Sequence, residues 1–217
     1  MRQIPLALGG AALLALGACS GSGDAPAADE TIPDAAETMA EAESVFFTLE
    51  VDGEVDGLDI GAADGTVTAA GDAEGSGVIT AMGMDVEVSY VILGEDAYVK
   101  GFTGDYQQVP VGGDELPYNP TIILAGDGGI ATLLSAYDEA EAEGTEEVDG
   151  VDAFRYRIVF DPEVFSDFIP AEGDWNEATV WFDQEHLRVV KAEFTEGDAA
   201  VTIHLSDYDE PVTIEAP

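Results

Sequence analysis

The stretch Ser44-Val45-Phe46-Phe47-Thr48-Leu49-Glu50-Val51-Asp52 decides the fold class. Val45, Phe47, Leu49 and Val51 alternate with Phe46, Thr48, Glu50 and Asp52, and a period of two predicts a strand with one face buried and the other wet. The same rhythm returns downstream. Residues 53–65, rich in Asp, Glu and Gly, read as a loop or ragged hairpin, and short strands follow at 66–69 and 77–80. Met82-Gly83-Met84-Asp85 turns into Val86, Val88, Tyr90 and Ile92, with Glu87 and Ser89 between them. Gly94-Glu95-Asp96 turns again into Ala97-Tyr98-Val99-Lys100, and Tyr106-Gln107-Gln108-Val109 predicts one more strand. Tight turns between successive strands make a meander, which antiparallel pairing allows and parallel pairing does not.

Beyond Tyr118 the period changes. Asn119-Pro120 predicts a helix start, with an apolar turn over 121–125. Ile130, Leu133, Leu134 and Tyr137 fall at i, i+3, i+4 and i+7, one helical face. An acidic run over 138–147 leads to Asp149-Gly150, a hairpin turn pair before a strand at 151–160. There Phe154, Tyr156, Ile158 and Phe160 share a face, while Arg155 and Arg157 point the other way. Asp161-Pro162-Glu163 predicts a capped helix whose apolar face is Val164, Phe165, Phe168 and Ile169. Three strands close the chain, at 178–182, 187–195 and 199–205. About ten strands, with two or three short helices inserted mid-sequence, predict an α+β fold. The arrangement that fits is one curved antiparallel sheet with helices on its concave side.

Charge excludes several functions. The 217 residues carry 46 acids against 6 Lys and Arg, a formal charge of −40. Such a field repels phosphates, so nucleic-acid binding and charge-driven binding to anionic membranes are excluded as leading ideas. With 46% apolar residues the chain is nevertheless a folding sequence rather than an acidic disordered one.

The chain opens Met1-Arg2-Gln3 and runs apolar over 4–16, which is too short to span a bilayer but has the build of an export signal. Leu16-Gly17-Ala18-Cys19, followed by Ser20-Gly21-Ser22-Gly23-Asp24, resembles a bacterial lipobox. Cys19 is the single cysteine, so no disulfide partner exists for it. It is expected to receive diacylglycerol, with palmitate-type chains, and to become the mature N-terminus; each buried methylene adds about 0.8 kcal/mol of anchoring. The expected division is a signal peptide over 1–18, a lipidated tether and short helix over 19–43, and one domain over 44–217. The tether is small, acidic and Pro-containing to about Pro33, and Asp34 is expected to cap a helix over 35–42.

Catalytic patterns are missing from the sequence. No Ser sits in Gly-x-Ser-x-Gly, and no Ser-x-x-Lys occurs. His186 and His204 are the two histidines, and neither has metal-ligand spacing. Asp52, Glu54, Asp56 and Gly57 begin like a calcium loop, but position twelve is Ala63 where a bidentate Glu is required. No catalytic residue, metal site or cofactor is therefore assigned.

The order of elements resembles the mycobacterial-type lipoproteins of the LppX/LprAFG family. The residues that carry the resemblance are Phe46-Phe47-Thr48-Leu49-Glu50-Val51-Asp52-Gly53, Asp85-Val86-Glu87-Val88 leading to Asp96-Ala97-Tyr98-Val99-Lys100, and Glu143-Gly144-Thr145-Glu146-Glu147-Val148-Asp149-Gly150-Val151. Thr179-Val180-Trp181-Phe182-Asp183 and the ending from Leu205-Ser206-Asp207-Tyr208 to Ile214 complete the set. The resemblance implies a half-barrel sheet wrapped around central helices and enclosing an apolar cavity. It also implies a non-catalytic role, binding acylated lipids or glycolipids and moving them across the cell envelope, with an envelope lipid transporter as a further partner. The location it implies is the outer face of the cell membrane. This chain departs in its acidity, so the cargo does not carry over.

An apolar stripe gives that implication its candidate residues. Phe47, Leu49, Val51, Val86, Val88, Tyr90, Tyr98, Phe154, Tyr156, Ile158, Val180, Phe182, Val201, Ile203 and Leu205 are expected on one side of one sheet. Ile130, Leu133, Leu134, Phe165 and Phe168 are expected to face them from the helices. From the residues alone a solid core is the default, and the chain is then an envelope scaffold with an acidic partner-binding face. The short helices leave little to fill so large a sheet, and the resemblance favours a cavity.

Overall fold

The computed structural model describes residues 24–81, 83–101, 104–111, 113, 115–173 and 175–217. The leader, Cys19 and Met82 lie outside the described residues. The chain begins with helix α1 (Ala28–Ala40) and enters β1 (Ser44–Asp52). It then meanders through β2 (Ile60–Thr68), β3 (Asp72–Ala81), β4 (Met84–Leu93), β5 (Asp96–Lys100) and β6 (Gln107–Val109). A crossover carries a 3₁₀ turn (Pro120–Leu124) and α2 (Ile130–Ser135). The second meander is β7 (Tyr137–Val148), β8 (Val151–Phe160), β9 (Glu177–Asp183), β10 (Val189–Glu196) and β11 (Ala199–Ser206), with α3 (Pro162–Phe168) between β8 and β9.

All eleven strands form one antiparallel sheet in the order β6-β5-β4-β3-β2-β1-β11-β10-β9-β8-β7. Two meanders thus start and finish side by side at its centre, where β1 pairs with β11 from Phe46 opposite Ser206 to Asp52 opposite Ala200. Their outer ends, β6 and β7, are the two edges. At about 4.8 Å per strand those edges are roughly 48 Å apart along the sheet, so the crossover has to travel across its face. That traverse lays the 3₁₀ turn and α2 over the apolar side.

Local chemistry sets the element ends. The Asn119 side chain accepts from Thr121 N–H at the start of the 3₁₀ turn, and Asp161 accepts from Glu163 N–H at the start of α3, each with proline at the first turn. Asp149 (φ 50°) and Gly150 (φ 84°) make the left-handed pair that joins β7 to β8.

Three elements differ from the sequence expectation. The acidic run, given no element in the sequence reading, forms β7, whose Glu141 pairs opposite Arg157. Strand β2 starts at Ile60, inside the stretch expected to be a loop or ragged hairpin, rather than at residue 66. Helix α1 starts at Ala28 and runs through Pro33, so residues 28–33 are helix rather than tether. Tertiary contacts outweigh the lost N–H there: Ile32, Ala35, Ala36 and Met39 are all buried, and the Tyr156 hydroxyl lies 3.1 Å from Thr31 Oγ1.

Candidate functional site

The core lies on one face of the sheet, under α1, the crossover and α3. Phe47 and Leu49 of β1, Val88 and Tyr90 of β4, Tyr156 and Ile158 of β8, Val180 and Phe182 of β9, and Val201, Ile203 and Leu205 of β11 are buried in one continuous cluster. Ile130, Leu133 and Leu134 from α2 and Phe165 and Phe168 from α3 complete it. Val51, Val86 and Phe154 are half-buried against the same cluster. Period-two alternation therefore places these expected residues together.

Tyr98 is the exception. In β5 the buried residues are Ala97 and Val99, while Tyr98 is half-exposed and stands opposite Val91 of β4. Both point to the outer face, because alternation puts Ala97 and Val99 inward. The expected inward stripe included Tyr98; the parity of β5 places it outward.

Between the sheet and the helices lies an apolar void of about 20 Å³, lined by Ile130, Leu133, Leu134, Phe160, Phe168, Val180, Val189, Ala192, Ile203 and Leu205. That is room for about one water molecule. The residues alone predict a solid core and the family resemblance implies a cavity for acyl chains; in this structure the lining residues leave only this small void, and a chain would need α2 and α3 to move off the sheet. Both helices are short, six and seven residues, so burial of a few side chains holds them rather than intrinsic helicity.

Val189 and Ala192 were absent from the expected lining, and Phe160 was read only as sharing its strand's face. A bulge between Val189 and Lys191 shifts the register against β9. It lets Val189 and Ala192, three residues apart, both face inward. No sequence signal marks that bulge.

The interior has few polar groups. Tyr90 Oη donates to Asp64 O (3.1 Å) across β3, and Gly75 leaves space for it, since a Cβ there would lie 2.6 Å from Tyr90 Oη. Tyr118 is buried and its hydroxyl has no hydrogen-bond partner among the described residues. Burial raises the pKa of both phenols, so they stay protonated.

The outer face holds the cations. Trp181 of β9 sits with Val148, Ala153 and Val190, and Arg155 and Lys191 lie over its ring at 5.7 and 4.5 Å. Its indole N–H donates to Glu146 (2.9 Å). Arg155 pairs with Glu143 (2.8 Å) and Arg157 with Glu177 (3.0 Å). These contacts tie β7 to β8 and β9 across an edge strand rich in carboxylates, which discourages pairing with another sheet. His186 and His204 contact Asp183 and Asp149 respectively. Among the described residues, no group of three or more His, Cys, Asp or Glu is arranged to hold a metal ion.

The sequence profile of the LppX/LprAFG lipoproteins matches residues 27–214. The chain belongs to the LppX/LprAFG lipoprotein family. The lipoarabinomannan carrier protein LprG of Mycolicibacterium smegmatis is 30% identical, over 92% of this chain and 89% of its own length. The protein of the same name from Mycobacterium leprae is 24% identical, over 90% and 84%. Among solved structures, LprF from Mycobacterium bovis superposes with a TM-score of 0.75 at 22% identity, covering 90% of this chain and 99% of that one. LppX from Mycobacterium tuberculosis superposes with a TM-score of 0.65 at 24% identity, covering 88% and 99%. At these identities the structures establish the shared LppX/LprAFG fold.

Proposed function

We propose that this LppX/LprAFG member is a non-catalytic carrier lipoprotein that binds the acyl chains of a lipid or glycolipid and helps move it across the cell envelope. The observation that carries the reading is the full-length kinship to lipoarabinomannan carrier proteins, joined to a sheet whose apolar face is covered only by short helices. Burial of hydrocarbon beneath α2 and α3 supplies the driving force, at about 25 cal/mol per Å². Residues 1–18 act as the export signal, Cys19 carries the lipid anchor, and residues 20–27 tether the domain. The protein then sits at the outer face of the cell membrane beside its donor, within reach of an envelope lipid transporter.

A second reading has one observation in its favour. The small void suits a scaffold with a solid core and the acidic β7 edge as its partner surface. Vesicle transfer separates the two. Donor vesicles holding a pyrene-labelled diacyl glycolipid lose label to unlabelled acceptors faster when a carrier is added. An unchanged transfer rate at saturating protein supports the scaffold.

A further inference from the structure

Strand β4 outruns one of its neighbours. It pairs with β3 along its whole length, from Leu93 opposite Asp72 to Met84 opposite Ala81. On its other side β5 reaches only from Asp96, opposite Leu93, to Lys100, opposite Ser89. Among the described residues no strand pairs with 84–88 on that side, and a cleft of about 690 Å³ opens along them as far as Lys100 and Gly101. At about 3.4 Å per residue the open step is roughly 17 Å long.

An open edge presents unpaired N–H and C=O groups, a template for one more strand. The two ends of the sheet are protected against this: β7 is half carboxylate, and β6 has only three residues. The β4 step has a different pattern. Val86 and Val88 alternate inward in line with Met84, which is 62% exposed, while Asp85 and Glu87 are exposed on the outer side.

Those features define an occupant. Backbone donors and acceptors along the edge require an extended polypeptide, which no lipid replaces. The inward row matches apolar side chains at alternate positions, and Asp85 and Glu87 match Lys or Arg between them. A second copy of this chain fits badly, because its own step brings carboxylates to carboxylates and each chain carries a charge of −40.

We propose that the β4 step is a docking edge, which takes an extended segment of a partner protein, alternately apolar and basic, as an added strand. The inference goes beyond the carrier reading and does not rest on it, since the step lies at a strand edge and not beneath α2 and α3.

The test uses a dansyl-labelled peptide, Val-Lys-Val-Lys-Val with both ends capped, titrated into the mature chain and followed by fluorescence anisotropy. Saturable binding is expected, with slower amide exchange at 84–88. The same peptide methylated on every backbone nitrogen keeps its charge and side chains but has no N–H donors, and is expected to bind at least about tenfold more weakly. Asp85→Lys combined with Glu87→Lys should weaken the parent peptide about tenfold, because two cross-strand attractions become repulsions. Both positions are exposed, so the melting temperature should stay close to that of the intact chain, and a Val-Glu-Val-Glu-Val peptide should bind the variant in place of the basic one. Equal binding of the methylated peptide would assign the attraction to net charge and overturn the proposal. So would protection appearing away from 84–88, or no binding at all. A dimer in sedimentation that the double variant abolishes would make a second copy the occupant and overturn it as well. Vesicle transfer, which tests the carrier reading, is unaffected by any of these results.

Discussion

The Tyr156 hydroxyl, projecting from the middle of β8, lies 3.0 Å from the Pro26 carbonyl and 3.1 Å from Thr31 Oγ1. Residues 130 positions apart in sequence are thereby joined. This contact joins the start of α1 to β8. Thr31 Oγ1 in turn donates to Ala27 O (3.1 Å), closing the first turn of α1, which has no side-chain cap of its own. Tyr156→Phe is therefore expected to cost about 1–2 kcal/mol. Amide exchange should rise first in residues 28–33, with β8 staying protected. Uniform exchange across the domain would show that the contact does not govern α1.

Ala192 is the smallest side chain lining the void beneath α2. Ala192→Trp is expected to fill the space a lipid must occupy, at a stability cost of about 1–3 kcal/mol from overpacking. Lipid transfer between vesicles should fall while the circular dichroism spectrum stays that of the folded sheet. Undiminished transfer would place the acyl chains elsewhere.

Gly65 and Gly75 face each other between β2 and β3. A Cβ on Gly75 would collide with Asp64 O and lie 2.6 Å from Tyr90 Oη. Gly75→Ala should therefore destabilise by roughly 2–4 kcal/mol, because backbone as well as side chain has to shift. Thermal unfolding checks this directly.

Much of the fold is legible in the sequence, for a physical reason: a half-buried strand writes its parity into every second residue. Phe47, Leu49, Tyr156, Phe182 and Ile203 are placed correctly on that ground alone. The failures occur where something other than parity decides. Tyr98 belongs to the expected inward stripe, although Ala97 and Val99 set the buried parity of β5. The β7 strand was hidden because half of its residues are carboxylates, and Arg155 and Arg157 of β8 pair with Glu143 and Glu141 across the ladder. Tyr137 continued a helical spacing yet begins β7, since α2 stops at Ser135. Within the site, Val189 and Ala192 needed a bulge that only the paired strands reveal. The unpaired Tyr118 hydroxyl is a property of three-dimensional enclosure, invisible in a row of residues.

Beside the central β1–β11 pair, Glu43 N–H donates to Asp209 Oδ1 (2.8 Å), and Arg188 pairs with Asp209 Oδ2. The backbone donor first, and the guanidinium after it, hold the Asp209 carboxyl below its usual pKa. A depressed carboxylate contributes stability that is complete above its unfolded pKa of about 3.9 and is lost as pH falls through the folded value. Asp209→Asn is accordingly expected to lower stability by about 1 kcal/mol at pH 7 and to make the acid limb shallower below about pH 4. Parallel acid limbs in the two proteins would contradict this.

The alkaline side has the opposite sign. Burial raises the phenol pKa values of Tyr90, Tyr118, Tyr156 and Tyr208. A group raised in the folded state contributes stability that is complete below its unfolded pKa, about 10 for Tyr, and is lost above it. Unfolding should therefore ease as pH rises past about 10, in step with ionisation followed by tyrosinate absorbance. Salt acts separately, because a net charge of −40 repels itself. Raising sodium chloride from about 0.01 M to about 1 M shrinks the Debye length from about 30 to about 3 Å and should raise the melting temperature.

The central claim is that the apolar face beneath α2 and α3 holds acylated lipid. Native mass spectrometry of the domain from residue 20 onward, purified in salt from a lipid-containing host, tests it most directly. The account expects a population carrying added mass that organic extraction identifies as acylated lipid, and loss of that population in Ala192→Trp. A bare protein mass that stays bare after incubation with envelope lipid extracts would contradict the account and leave the chain a solid-cored scaffold.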